Sequence, residues 1–218
     1  TSLEVWQTLN ELWIWLNGEA RAQWAESRYD VLRRVMRDMS RATGEVGATM
    51  LRDPGYDFIW LGAMLERAGQ TARVLDVFYH AAEGAQDLPA VNTVLLARLL
   101  RACCSHEPFM KRHRGRVQLR DVGHFLMHDE ALPRSVTFSL GRCRARLRSL
   151  RDDGHLVEGY SLGRIDALQA WLSGHVPQDA EAMHGVLTHI VEETAAIGVA
   201  IGGELRGPAI EAQTSSQQ

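Results

Sequence analysis

Apolar residues recur every three or four positions along nearly the whole chain, and no stretch alternates apolar and polar positions as a half-buried strand would. The first segment, residues 2–17, repeats Val5, Trp6, Leu9, Leu12, Trp13 and Leu16, with Ser2 placed to cap a helix and Gly18 to stop it. A second helix is predicted over residues 19–42 and a short third over 44–52, ended by Arg52-Asp53-Pro54-Gly55. The longest runs over 56–84. Residues 89–106 are apolar nearly all round (Val91, Val94, Leu95, Leu96, Leu99, Leu100), which makes that helix central. Pro108 disfavours helical geometry at Glu107 and predicts a break there. A short helix at 118–127, a loop, a helix from Pro133 to Arg151 with proline in its first turn, and helices at 161–173 and 179–204 follow. With no internal repeat and no linker, the pattern predicts a single all-α multi-helix bundle over residues 1–206. The tail, 207–218, is expected to be disordered.

The 56–84 helix raises a question. At 100° per residue from Leu61, the positions of Leu65, Ala68, Ala72, Leu75 and Tyr79 fall within about 40° of it. Trp60, Met64, Val74 and Phe78 widen that arc. Gly62, Glu66, Gly69, Gln70, Arg73 and His80 take the opposite side, the arrangement of a solvated face with neighbour pairing. Arg67 lies at about 240° in the same count, inside the apolar arc. An unpaired guanidinium there would be costly, so it needs a carboxylate or a carbonyl. Glu107, on the Leu96/Leu100/Cys103 side of its segment, is the predicted partner in the bundle interior, with Glu11 as the fallback acid. Arg67 is then either an internal tie or one wall of a polar pocket.

Composition narrows the function classes. At 218 residues, 45% apolar and 23% charged, the chain is an ordinary globular protein with material for a core. A net charge of -3 makes nucleic acid an unfavoured partner, yet thirteen Arg/Lys face four Asp/Glu between Arg98 and Arg151. Arg144, Arg148 and Arg151 share a helical face there. Cys103, Cys104 and Cys143 make no disulfide framework and read as buried reduced thiols of a cytoplasmic protein. No apolar run approaches the ~20 residues of a membrane span, and no signal peptide opens the chain. There is no P-loop, dinucleotide glycine motif, nucleophile elbow or thiol-protease signature, so no cofactor is recognisable. Glu181-Ala182-Met183-His184 has the Glu-x-x-His spacing of di-iron bundles, but it has no second copy and no metal site is assigned. His124 and His128, with Asp121, read as surface histidines beside a loop, and Asp129 as the residue ordering the loop into the next helix.

The segment Phe58-Ile59-Trp60-Leu61-Gly62-Ala63-Met64-Leu65-Glu66-Arg67-Ala68, continuing through Thr71, Ala72, Arg73, Leu75 and Asp76, resembles the signature of the bacterial alpha-E family. The stretch from Ala48 to Phe58 resembles that family's lead-in, and Phe125, Leu126, Asp129, Pro133, Arg134 and Ser135 resemble a later block, so the likeness spans most of the chain. Two departures stand out. The family's usual Arg-Tyr before Leu-Glu-Arg is Ala63-Met64 here, and only one copy of the Leu-Glu-Arg-Ala segment is present. With Thr1 in place of an initiating Met, the expectation is that the family's N-terminal repeat precedes the chain.

The resemblance implies a setting beside circularly permuted ATP-grasp proteins, which form amide bonds through acyl-phosphates. The expected function is a helical partner domain offering a substrate-binding or docking surface for peptide synthesis or tagging. Glu66 is the candidate catalytic residue, and Arg67, Arg73, Glu107 and Arg134 are the candidate substrate-binding residues. An amino-acid or peptide substrate would place its carboxylate on arginine and its ammonium on glutamate. One alternative is an enzyme in its own right with a Glu/Arg active site. The other is an anion-binding interaction module that uses the Arg-rich middle region.

Overall fold

The computed structural model describes residues 1–84, 89–114, 117–157, 159–175, 177 and 180–206; the predicted tail, 207–218, lies outside them. Among the described residues there are ten α-helices and no strand: α1 (Leu3–Asn17), α2 (Ala20–Glu26), α3 (Arg28–Thr49), α4 (Pro54–Glu83), α5 (Pro89–Ala102), α6 (His106–His113), α7 (Leu119–His128), α8 (Val136–Asp152), α9 (Ser161–Gly174) and α10 (Ala180–Arg206). The all-α bundle class is as the periodicity predicts. The chain divides into two compact units, Thr1–Ile59 and Trp60–Gln218. The division falls inside α4, and a boundary within a continuous helix leaves no linker composition to read.

In the first unit α1 and α3 run antiparallel, with α2 packed on both. Ser2 Oγ meets Thr49 Oγ1 at 2.6 Å at one end, Thr8 Oγ1 donates to Glu45 at 2.7 Å, and the Arg34 guanidinium lies 4.2 Å from the Trp15 ring centre at the other end. Val5, Leu12, Trp15, Val31 and Val46 are buried between the helices. The helix predicted over 19–42 is two helices. Ser27 is extended and its hydroxyl accepts from the Asp30 N–H, so Ser27-Arg28-Tyr29-Asp30 acts as a start signal that apolar spacing alone passes over. Past that point α3 runs through Gly44 and Gly47, because Ala42 and Val46 keep one face of it buried. Asp53 opens α4 by accepting from the Tyr56 N–H at 2.9 Å, with Pro54 in the first helical position, where a missing N–H costs nothing.

In the second unit the α4 line of Leu61, Ala68, Ala72 and Leu75 is buried as the wheel predicts, and α5 buries Leu96, Leu99 and Leu100. The segment after α5 departs from expectation. The chain turns at Cys104, which takes a left-handed conformation (φ 49°); the Cys104 N–H bonds to the Arg101 carbonyl and the Ser105 N–H to the Leu100 carbonyl. This is a Schellman closure. A further helix, α6, follows at once with Pro108 in its first turn, where its ring meets no preceding helical carbonyl and its nitrogen is not needed as a donor. Helix α8 starts later than predicted: Ser135 is its N-cap, accepting from the Phe138 N–H at 3.0 Å, so Pro133 and Arg134 belong to the loop. Helix α10 corrects the expectation that no stretch reaches membrane-spanning character, since Glu181–Leu205 is long and apolar enough by length and composition. In this bundle Leu187, Ile190 and Ile197 on α10 are fully buried, and Arg164 on α9 pairs with Glu193 at 2.9 Å.

Candidate functional site

Arg67 answers the question raised by its position. Its side chain is partly buried and its Nη1 donates to the Pro133 carbonyl at 3.3 Å, with Met64 Sδ at 3.7 Å. One turn further along, Thr71 Oγ1 donates to the Arg134 carbonyl at 2.9 Å. Helix α4 therefore grips two successive carbonyls of the loop between α7 and α8. Asp129 holds the same loop from within: its Oδ1 accepts from the Ala131 and Leu132 N–H groups at 2.9 and 2.8 Å, and its other oxygen pairs with Arg112. The loop-ordering role expected of Asp129 is what the geometry gives. Desolvation, and secondly the nearby positive charge of Arg134, lower the pKa of Arg67.

The predicted Arg67–Glu107 pair does not form. Glu107 sits in the first turn of α6 with its side chain 87% exposed, and its ion-pair neighbour is His106 at 3.5 Å. The extra turn at Cys104 is the reason: Glu107 does not continue the face of α5 from which its position was reckoned. Glu11, the fallback acid, is an exposed partner of Arg41 at 3.9 Å. The partner that the apolar arc demands of Arg67 is a backbone carbonyl.

Glu66 and Arg73 lie on another face of α4, and there the structure makes a groove of about 290 Å³. Gly62, Leu65, Glu66, Gly69 and Arg73 of α4 line one wall; Thr194, Ala195 and Gly198 of α10 line the other. The helices are antiparallel, with Leu65 facing Gly198 and Gly69 facing Thr194. A Cβ at position 69 would stand 2.9 Å from Thr194 Oγ1, so glycine is what allows α10 to come this close. The Arg73 guanidinium lies over Gly69, and Glu66 is exposed with the Gln70 amide 3.4 Å away. Further along the seam His184 Nδ1 meets Asp76 Oδ1 at 2.8 Å, beside the stacked ring of His80.

Five candidate residues thus fall into three places. Glu66 and Arg73 share the groove, Arg67 and Arg134 meet at the α7–α8 loop, and Glu107 stands apart. The α10 wall and the Asp76–His184 pair are not legible in the sequence, because small residues on a distant helix carry no chemical signal and the spacing of His184 ties it to Glu181 alone. Among the described residues no group of three or more His, Cys, Asp or Glu is placed to hold a metal ion. The basic middle region is less free than its count implies. Arg144 pairs with Asp166, Arg112 with Asp129, and Arg151 donates to the Gly159 carbonyl at 3.1 Å. Asp166 is held below the usual carboxylate range, first by its hydrogen bond from Arg144. A second cavity, about 150 Å³, is lined by His124, His128 and Asp121 among others. His128 is half-buried there, against the expectation of a surface residue, and desolvation followed by the charge of His124 lowers its pKa.

No curated protein and no solved structure matches the chain. The Alpha-E model, a predicted alpha-helical domain with a conserved ER motif, matches residues 1–204. Glu66-Arg67 is the one Glu-Arg dipeptide in the sequence, so the motif sits where α4 turns one side chain to the groove and the next to the α7–α8 loop. With nearly the whole length matched and that dipeptide on α4 between the groove and the α7–α8 loop, the chain belongs to the Alpha-E family.

Proposed function

We propose that this helical domain works beside an ATP-grasp amide ligase and holds an amino-acid or peptide substrate in the groove between α4 and α10. The observation that carries the reading is the groove itself, which places an exposed carboxylate, Glu66, and a guanidinium, Arg73, along one strip of small residues. They stand seven positions apart, about 10 Å of helix. A zwitterionic peptide laid along Gly69 and Gly198 would meet Arg73 with its carboxylate and Glu66 with its ammonium, both as charge-assisted hydrogen bonds. Binding is favoured over acid–base catalysis because a catalytic carboxylate is normally taken out of water to tune it, and Glu66 is exposed. Arg67 and Thr71 hold the loop that carries the start of α8 through the Pro133 and Arg134 carbonyls, and support the site from behind.

The test is ATP-dependent amide formation with the neighbouring ATP-grasp protein, comparing wild type with Glu66→Gln and Arg73→Gln. The expected result is an intact complex with a raised KM for the peptide acceptor in both variants. Unchanged KM and kcat in both would overturn the substrate-site reading. Loss of kcat alone in Glu66→Gln would favour the enzyme alternative.

A further inference from the structure

The first unit carries a surface feature that the groove does not use. Trp6, Leu9, Trp13 and Leu16 follow one another at three-four-three spacing along α1, and every one is exposed. Leu32, Met36 and Met39 follow at four-three spacing along α3, and they too are exposed. This is the spacing of a seam at which one helix packs on another, and no charged side chain falls within either stripe.

The two stripes lie on the same side of the hairpin. In each helix the stripe stands roughly 60–130° from the buried line, in the direction of increasing residue number. Because α1 and α3 are antiparallel, that rotation carries both stripes to one face. The Thr8–Glu45 hydrogen bond and the Arg41–Glu11 pair occupy the opposite face. The unit is thus an antiparallel helix pair with a polar, tied side and an apolar side presenting two seams.

We propose that this face is the interface of a homodimer, in which the α1–α3 hairpins of two copies close into a four-helix bundle. Two features favour a second copy as the occupant. First, the face complements itself: the Thr8–Glu45 and Trp15–Arg34 contacts set Trp13 level with Met36 and Met39, so a two-fold axis parallel to the helices lays the bulky Trp13 of one protomer on the flexible Met36 and Met39 of the other, and methionine adapts well to aromatic rings. Second, the size fits. The seven side chains are 40–70% exposed. At about 200 Å² for each large side chain they present on the order of 700 Å² per protomer, close to the roughly 800 Å² per partner of a standard interface. An apolar patch of that extent exceeds what monomers commonly leave in water.

The experiment is the mass of the full chain in solution, measured by light scattering across a dilution series, with circular dichroism to follow helicity. The expected wild-type mass is twice 24.4 kDa. Trp13→Glu and Met36→Glu should each give the monomer mass with helicity retained. Leu51→Glu, an exposed apolar position off both seams, should leave the dimer intact. If a glutamate disrupts the hairpin, Trp13→Gln supplies the milder test, with a dissociation constant raised at least tenfold. A wild-type monomer at every concentration would overturn the proposal. So would a dimer that survives both seam substitutions, or a monomer that binds an ATP-grasp partner through these same side chains.

Discussion

Removing the Glu204 carboxylate tests whether α9 is held from outside its own sequence. Helix α9 begins at Ser161 after Tyr160, and Tyr160 offers no side-chain cap. The cap comes from α10: the nearly buried Glu204 accepts from the Ser161 N–H at 2.7 Å and from the Ser161 hydroxyl at 2.6 Å, with Arg151 Nη2 at 3.9 Å. Glu204→Ala leaves a helix N-terminal N–H and a fully buried hydroxyl without their acceptor. A lost cap costs about 1 kcal/mol, and each buried donor left unsatisfied costs about 1–3 kcal/mol. Water entering the vacated space offsets part of this, so the expected loss is about 3 kcal/mol. For a chain of this size that is a drop in Tm of about 6–12 °C. Urea unfolding followed by circular dichroism measures it, and Glu204→Gln, which keeps one acceptor oxygen, should lose about half as much. Gly159→Ala is an independent check, because a Cβ there would overlap the Glu204 carboxylate and should reproduce much of the loss. A Glu204→Ala protein within about 1 kcal/mol of wild type, or energies of Glu204→Ala and Ser161→Ala that simply add, would refute the reasoning.

Three further outcomes are expected. Gly154 closes α8 at φ 75° with the same pair of hydrogen bonds that closes α5 at Cys104; Gly154→Ala should lower stability by about 1 kcal/mol, whereas Cys104→Gly should raise it by up to a similar amount in urea titrations. Burial pushes the thiol of Cys103 up to about 11 and that of Cys143 up to about 12, while Cys104, expected from the sequence to be buried like them, is exposed at the turn that closes α5. Ellman's reagent should therefore label one thiol rapidly in the native protein and all three after unfolding. His128 has its pKa lowered by burial, so the unfolded chain binds its proton more tightly than the folded one. No penalty exists well above the ordinary value of 6.5, and stability falls as pH drops from there through the depressed folded value. His128→Gln should flatten that acid slope, and an unchanged slope would show that His128 is not its source.

How much was legible in the sequence follows from what each feature depends on. The helical class, the buried line Leu61–Ala68–Ala72–Leu75, the caps at Ser2 and the stop at Gly18 depend on spacing and on the two or three residues beside them, so the chain alone determines them. It also determines that Arg67 must have a partner, because the cost of a bare guanidinium on an apolar face is independent of the fold. Which partner it takes is a tertiary matter. The left-handed turn at Cys104 moves Glu107 off the expected face, and the loop before α8 brings the Pro133 carbonyl to Arg67 across 66 positions of sequence. The groove is decided in the same way: Glu66 and Arg73 are visible on α4, but their opposite wall comes from Thr194, Ala195 and Gly198, residues with no local signature. Helix α9 makes the same point, since its cap stands 43 residues away on α10. Periodicity encodes which face of a helix is buried. Only the packing of one helix on another decides which backbone group, carboxylate or glycine that face will meet.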